Sequence, residues 1–259
     1  VTDAASDNTT TGLVVDGHLG SATAAVASGS SAKTQAAAIN EDTASTGVSA
    51  TAVTFAMFND LSDAGTVNFT LTTDDGSSAI ASTVTSKTDL TAVKDAINEK
   101  SGVTGVTASF NGGSQDAILL KHATGADIHI VNLALVSAAA HMDFHSIDYD
   151  GSTEIDVGAA NAAGNGANDV IISGTMTLSS TKAFTVSSDG SGDAGLFGTT
   201  GSHTGVTDAG GTAAISNVAS INIGTQSGAE NAISVLDGAI DQVNEIRSDL
   251  GAVSNRLDK

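Results

Sequence analysis

Ala36-Ala37-Ala38-Ile39-Asn40-Glu41, followed by Gly47-Val48-Ser49-Ala50-Thr51, is the stretch on which the reading of this chain turns. It returns downstream as Lys94-Asp95-Ala96-Ile97-Asn98-Glu99 and Gly105-Val106-Thr107-Ala108-Ser109. Ile39 and Ile97, Gly47 and Gly105, and Ala50 and Ala108 are each 58 places apart. A spacing held across the intervening loop marks a duplicated structural unit. In the second copy Leu90, Val93 and Ile97 fall on one face of a helix. Ser86 and Thr88 are candidate N-caps, Asp89 suits the positive end of the helix dipole, and Gly102 is the expected stop. Val106, Ala108 and Phe110 then alternate as in a half-buried strand. Ala117–Lys121 is a second strand after a Gly112-Gly113 turn, and Asp127–Val131 a third. Upstream, Val67, Phe69 and Leu71 make Thr66–Thr73 the strand that enters the unit. Each copy reads as a short helix on a small antiparallel sheet, which makes the fold class α+β.

Outward from the repeat the signals change. Leu13–Asp16 is a short strand candidate in an otherwise polar start. Residues 132–200 read as further strands and turns, with Val170–Leu178 and Ala183–Ser187 the clearest strands and Gly158–Gly166 a low-complexity loop. Gly190–Gly211, rich in Gly, Ser, Thr and Asp, reads as a linker. From Ser227 a helical pattern runs nearly to the end, opened by a capping box of Ser227 and Glu230. Ile233, Leu236, Ile240, Val243, Ile246, Leu250, Val253 and Leu257 step by three or four, a nearly heptad stripe. A lone helix carrying such a stripe must bury it on a partner, and the chain offers no second long helix. The expected organisation is an outer region over 1–211, with repeated modules at about 21–75 and 76–135 and further β-structure at 136–200, followed by a carboxy-terminal core segment over 212–259 with its helix at about 227–257.

Composition narrows the function. Nine Lys and Arg against 29 Asp and Glu give a net charge of −20, which repels nucleic acid and anionic lipid. Neither is expected as a partner. There is no Cys, so disulfides and thiolate metal sites are excluded. No run approaches the ~20 apolar residues of a membrane span. The chain opens on Val1-Thr2-Asp3 without an initiator Met or signal peptide, as if cut from a longer parent.

The carboxy-terminal segment resembles the carboxy-terminal core of bacterial flagellins. The resemblance runs through Ser220-Ile221-Asn222-Ile223, Gly228-Ala229-Glu230-Asn231-Ala232, Val235-Leu236-Asp237, Ala239-Ile240 and Gln242-Val243-Asn244, and on through Arg247-Ser248-Asp249-Leu250-Gly251-Ala252-Val253 to Asn255-Arg256-Leu257. The duplicated Ala-Ile-Asn and Gly-Val-x-Ala pattern resembles the hook IN motif of flagellins and hook proteins. The resemblance implies a self-assembling structural subunit of the extracellular flagellar filament, serving motility, with no enzymatic activity and no cofactor. It implies solvent-facing outer domains and a coiled core helix. Its partners would be other flagellin subunits, the amino-terminal helices missing before Val1, an export chaperone and the cap protein. It implies a helix-packing set of Ile233, Leu236, Ile240, Val243, Ile246, Leu250, Val253 and Leu257, with Asn255, Arg247 and Arg256 at the same seam. The two arginines either meet carboxylates or carbonyls across subunit contacts, for which the planar guanidinium fork is suited, or are solvated charges near a helix C-terminus, which the dipole also favours.

Other chemistry is weakly signalled. His141 and His145, with Asp143 between them, have the spacing of a helical metal pair but no third ligand, so they read as turn histidines. His122 and His129 flank an expected turn and read as structural. Asp148, Asp150 and Glu154 resemble the start of a calcium loop, but the Gly comes early and no Glu completes it. No glycine cluster has the strand and helix context of a nucleotide site, and no nucleophile elbow is present. The competing function is a surface-exposed module that recognises a glycan or a host receptor. Tyr149 is the single Tyr and there is no Trp, so the aromatic platforms that stack sugars are missing.

Overall fold

The computed structural model describes residues 12–27, 29–136, 140–147, 154–161, 169–188, 211–212, 223 and 226–257. The first copy of the repeat contains β1 (Gly12–Asp16), β2 (Ser21–Ala25), α1 (Ala32–Glu41), the single turn α2 (Thr43–Thr46) and β3 (Ser49–Asn59). The second contains β4 (Gly65–Thr72), β5 (Ser77–Val84), α3 (Thr91–Glu99), the single turn α4 (Ser101–Thr104) and β6 (Val106–Phe110). Then come β7 (Ile118–His122), β8 (Ile128–Ala134), β9 (His141–Ile147), β10 (Glu154–Asn161), β11 (Val170–Ile172), β12 (Thr175–Ser179), β13 (Thr185–Ser188), β14 (Gly211–Thr212) and the helix α5 (Gln226–Leu257). All ladders among the described residues are antiparallel, and short helices pack on them, so the chain is α+β.

Three sheets form, in the orders β14-β13-β1-β2, β10-β9-β3-β7-β6 and β11-β8-β4-β5. The 11-residue strand β3 joins the parts. Its first half, Ser49 to Val53, pairs with β12, and its second half, from Thr54, pairs with β7 and β9. Among the described residues two large apolar cores result, with a smaller third cluster of Met57, Ala117 and Ile147. Ala32, Ala36 and Ile39 of α1 pack with Leu13, Val15, Val48 and Phe184. Val93 and Ile97 of α3 pack with Leu71, Ile80, Val106, Ile118, Leu120 and Ile128. The first helix turns mainly Ala inward and the second Val and Ile, so the second core holds larger side chains around the same framework.

Each repeat is fastened by its Asn. Asn40 Nδ2 donates to the Ala50 carbonyl at 2.8 Å, and Ala50 N–H donates back to Asn40 Oδ1 at 2.8 Å. Asn98 and Ala108 make the same pair at 2.9 and 2.8 Å. A carboxamide offers one donor and one acceptor side by side, which matches the two outward groups of a strand residue and plugs that edge. The turn before each strand closes on a glycine with positive φ, 71° at Gly47 and 68° at Gly105, which a side chain would strain.

Several expectations need correcting. Gly102 does not stop the second helix: α3 ends on its cap residue Lys100, Gly102 lies inside the following turn α4, and Gly105 ends α4, its N–H donating to the Ser101 carbonyl at 2.8 Å. Neither Ser86 nor Thr88 caps α3. Asp89 Oδ1 accepts from the Thr91 N–H at 3.0 Å, and Leu90 occupies the cap position, fully buried. Val170–Leu178 is two strands in different sheets: β11 pairs with β8, and after Ser173-Gly174 the chain crosses to pair as β12 with β3. A Cβ at Gly174 would meet the Gly125 carbonyl and Ala32, so the crossing is tight as well as sharp. The stretch Gly158–Asn161 is strand rather than loop. The side chains of the Ser227 and Glu230 capping box lie outside the described residues, as does nearly all of the expected linker.

Candidate functional site

α5 has 32 residues and, at 1.5 Å per residue, is about 48 Å long. Ile233, Leu236, Ile240, Val243, Ile246, Leu250 and Val253 are each 44–63% exposed, so the stripe read from the sequence lies open to solvent. Arg247, Asn255 and Arg256 are also exposed on this helix, and the Leu257 side chain lies outside the described residues. The stripe slides slowly around the helix, as a repeat near 3.5 does, and that geometry suits a coiled partner better than a flat sheet. Among the described residues no helix is long and apolar enough to cross a membrane.

The other concentration of polar groups lies where the two cores meet. Ser31 Oγ, which also accepts from the Thr34 N–H at the start of α1, donates to Asp74 Oδ2 at 2.7 Å. The next acidic residue, Asp75, pairs with Lys33 Nζ through one oxygen and with His122 Nε2 at 2.9 Å through the other. The backbone N–H of Lys33 donates to the Gly125 carbonyl at 2.9 Å. His122 is buried, and its Nδ1 accepts from the Ala126 N–H at 3.3 Å. That bond places the ring proton on Nε2, directed at Asp75, an assignment made from the network. The Lys33 hydrogen bond holds the Asp75 carboxyl below its ordinary value of 3.8, the His122 bond acts in the same sense, and partial burial opposes both. The cluster fastens α1 to the β4–β5 turn and to the end of β7.

The remaining candidates disperse. His141, Asp143 and His145 lie on strand β9, not on a helix or in a turn, and His145 Nε2 contacts Asn59 Oδ1 at 3.1 Å. His129 is the second residue of β8, so it and His122, the last residue of β7, flank the turn between those strands as expected. Asp148, Tyr149 and Asp150 lie outside the described residues, and Glu154 opens β10. Among the described residues no group of three His, Cys, Asp or Glu could hold a metal ion. The sequence flagged His122 but not its partner Asp75, because a contact spanning 47 residues leaves no local pattern. The paired Asn residues were visible as part of the repeat, which was the available signal, though their job was not.

No protein-family model matches the chain. Among solved structures, two domains of the flagellar cap protein from Escherichia coli overlay 52% of this chain and 95% of theirs, at 13% identity and a TM-score of 0.21, too low to carry an argument. Among curated proteins, the B-type flagellin of Pseudomonas aeruginosa is 33% identical over 193 residues, or 74% of this chain. The chain spans 36% of that relative's length. On this match the chain is flagellin-like over most of its length.

Proposed function

We propose that this chain is part of a structural subunit of the extracellular flagellar filament, and that α5 is its assembly element. The observation that carries the reading is the uncovered stripe from Ile233 to Val253 on a flagellin-like chain. Apolar side chains along about 30 Å of helix are costly to leave in water. They find cover when amino-terminal helices of the parent subunit, or helices of neighbouring copies, coil against them. Leu257 extends the seam, and Arg247, Asn255 and Arg256 make polar contacts at its margins. The β-rich region, which includes β14 at Gly211–Thr212, then faces solvent. In this reading the partners are further copies of the subunit, with the export chaperone and cap protein acting during secretion and assembly. The role is mechanical and involves no catalysis or cofactor.

Leu250→Asp in the full-length parent tests the proposal. A carboxylate in a closed helix seam is either unpaired and costly or protonated. Sedimentation of the secreted variant should show loss of filaments, while circular dichroism shows the β-rich modules still folded. Normal filaments built from the variant would remove Leu250 from any buried seam and overturn the role of α5.

A further inference from the structure

The sheets β14-β13-β1-β2 and β11-β8-β4-β5 share one strand order, and the agreement extends to register. Ala50 faces Leu178 on β12, and Ala108 faces Leu120 on β7. Leu13 faces Ser188 on β13, and Leu71 faces Ile130 on β8. On the amino-terminal side the second copy lies 58 places after the first; on the carboxy-terminal side it lies 58 places before. The counterpart of β7 is therefore β12, and that of β8 is β13. The duplication is larger than the repeated helix and strand, and its two copies are not consecutive.

We infer that the chain holds two copies of one fold, the second nested inside the first, and that the loop between Asn111 and Ala117 is a site able to take a further folded domain. In the outer copy the insert begins after Val53 and ends before Thr175, two residues that face each other across β3 and β12. Shifted by 58, that pair is Asn111 and Ala117, and the Asn111 N–H donates to the Ala117 carbonyl at 3.0 Å. The inner copy thus carries a short closed loop where the outer copy carries a domain.

The loop is built to open. Gly112 and Gly113 have φ of 60° and 86°, and nothing lies within 4 Å of where a side chain on either would sit. At two turns between paired strands the glycine is jammed, Gly17 against the Thr46 carbonyl and Gly76 against the Val103 carbonyl, and at the β7–β8 connection Gly125 is jammed against Ala52. The contact by which this loop supports α3, Leu90 N–H to the Gln115 carbonyl at 2.8 Å, lies beyond the Gly112–Gly113 bond and survives an insertion there. Closure entropy grows slowly with loop length, and a compact insert whose termini lie side by side does not pull the strand ends apart. The fitting occupant is such a domain, and the inference stands apart from the filament reading because its test uses this chain alone.

The experiment inserts one small Trp-containing domain with adjacent termini into the 259-residue chain, either between Gly112 and Gly113 or between Thr124 and Gly125. The host has no Trp, so fluorescence reports the insert and circular dichroism with amide exchange over Val106–His122 reports the host. The expected result is a host melting midpoint within about 4 °C of the parent for the first insertion, and a fall of more than about 8 °C or loss of soluble protein for the second. A first insertion as damaging as the second overturns the inference. So does equal tolerance at both sites, which would deprive the nested register of any role.

Discussion

Asn98 gives one side chain to both outward backbone groups of Ala108. Asn98→Ala leaves an N–H and a C=O without their partners beside a core strand, at a cost of about 2–4 kcal/mol. The midpoint of a thermal melt followed by circular dichroism should fall by roughly 5–12 °C. Asn98→Asp should be nearly as damaging, since a carboxylate accepts from the N–H but repels the carbonyl. Asp75 makes a pH-dependent contribution. Its folded pKa lies below 3.8, so its stabilisation is full at pH values above 3.8 and drains away as pH falls through the lower folded value. Acid titrations of the parent and of Asp75→Asn should differ in slope only in that acid range; identical curves would mean that the Lys33 and His122 contacts contribute nothing. At this scale the sequence was partly legible. Ile39, Ile97, Ala50 and Ala108 announced themselves by repetition, whereas the Asp75 contacts depend on long-range folding that no local spacing encodes.

The helix–strand turn offers a paired test at the scale of an element. Gly102 sits in α4 with open space around it, so Gly102→Ala trims unfolded-state freedom and should add about 0.5–1 kcal/mol. Gly105 has positive φ, and a Cβ there would run into His122 and Asp75, so Gly105→Ala should cost several times as much. Opposite shifts in melting midpoint would confirm that Gly105 and not Gly102 is the glycine the turn into β6 requires; matching shifts would overturn that assignment. The same elements explain what sequence reading catches. α5 and α3 were legible because Val, Ile and Leu recur at helical spacing. β2 and β5 were not. Their alternation is carried by Ser, Ala and Thr, as in Ser77-Ser78-Ala79, and small residues give little contrast between inward and outward faces. The apolar run from Val170 was legible as strand, but the change of sheet at Gly174 depends on packing against Ala32 and Gly125 that lies far away in sequence.

Two cores joined by two crossing segments make a testable architecture for the whole molecule. Because Val53 and Thr175 face each other, replacing residues 54–174 with Asn-Gly should close β3 and β12 into a hairpin and leave the outer copy standing alone. Its circular dichroism should keep a cooperative, if lower, melting transition; a chain without one would mean that the outer copy depends on its insert. The duplication was legible at this scale, and the nesting was not, since Leu178 and Leu120 occupy matching places in strands whose sequences have little else in common. The crossing itself has a mechanical meaning. A body hung from another by one strand can swivel, because single bonds rotate. The inner copy hangs from two hydrogen-bonded strands side by side, with Lys33 and Ser31 bracing the joint. Rotation of one copy against the other therefore has to deform both strands and the Ser31–Asp74 and Lys33–Asp75 contacts, not a single bond.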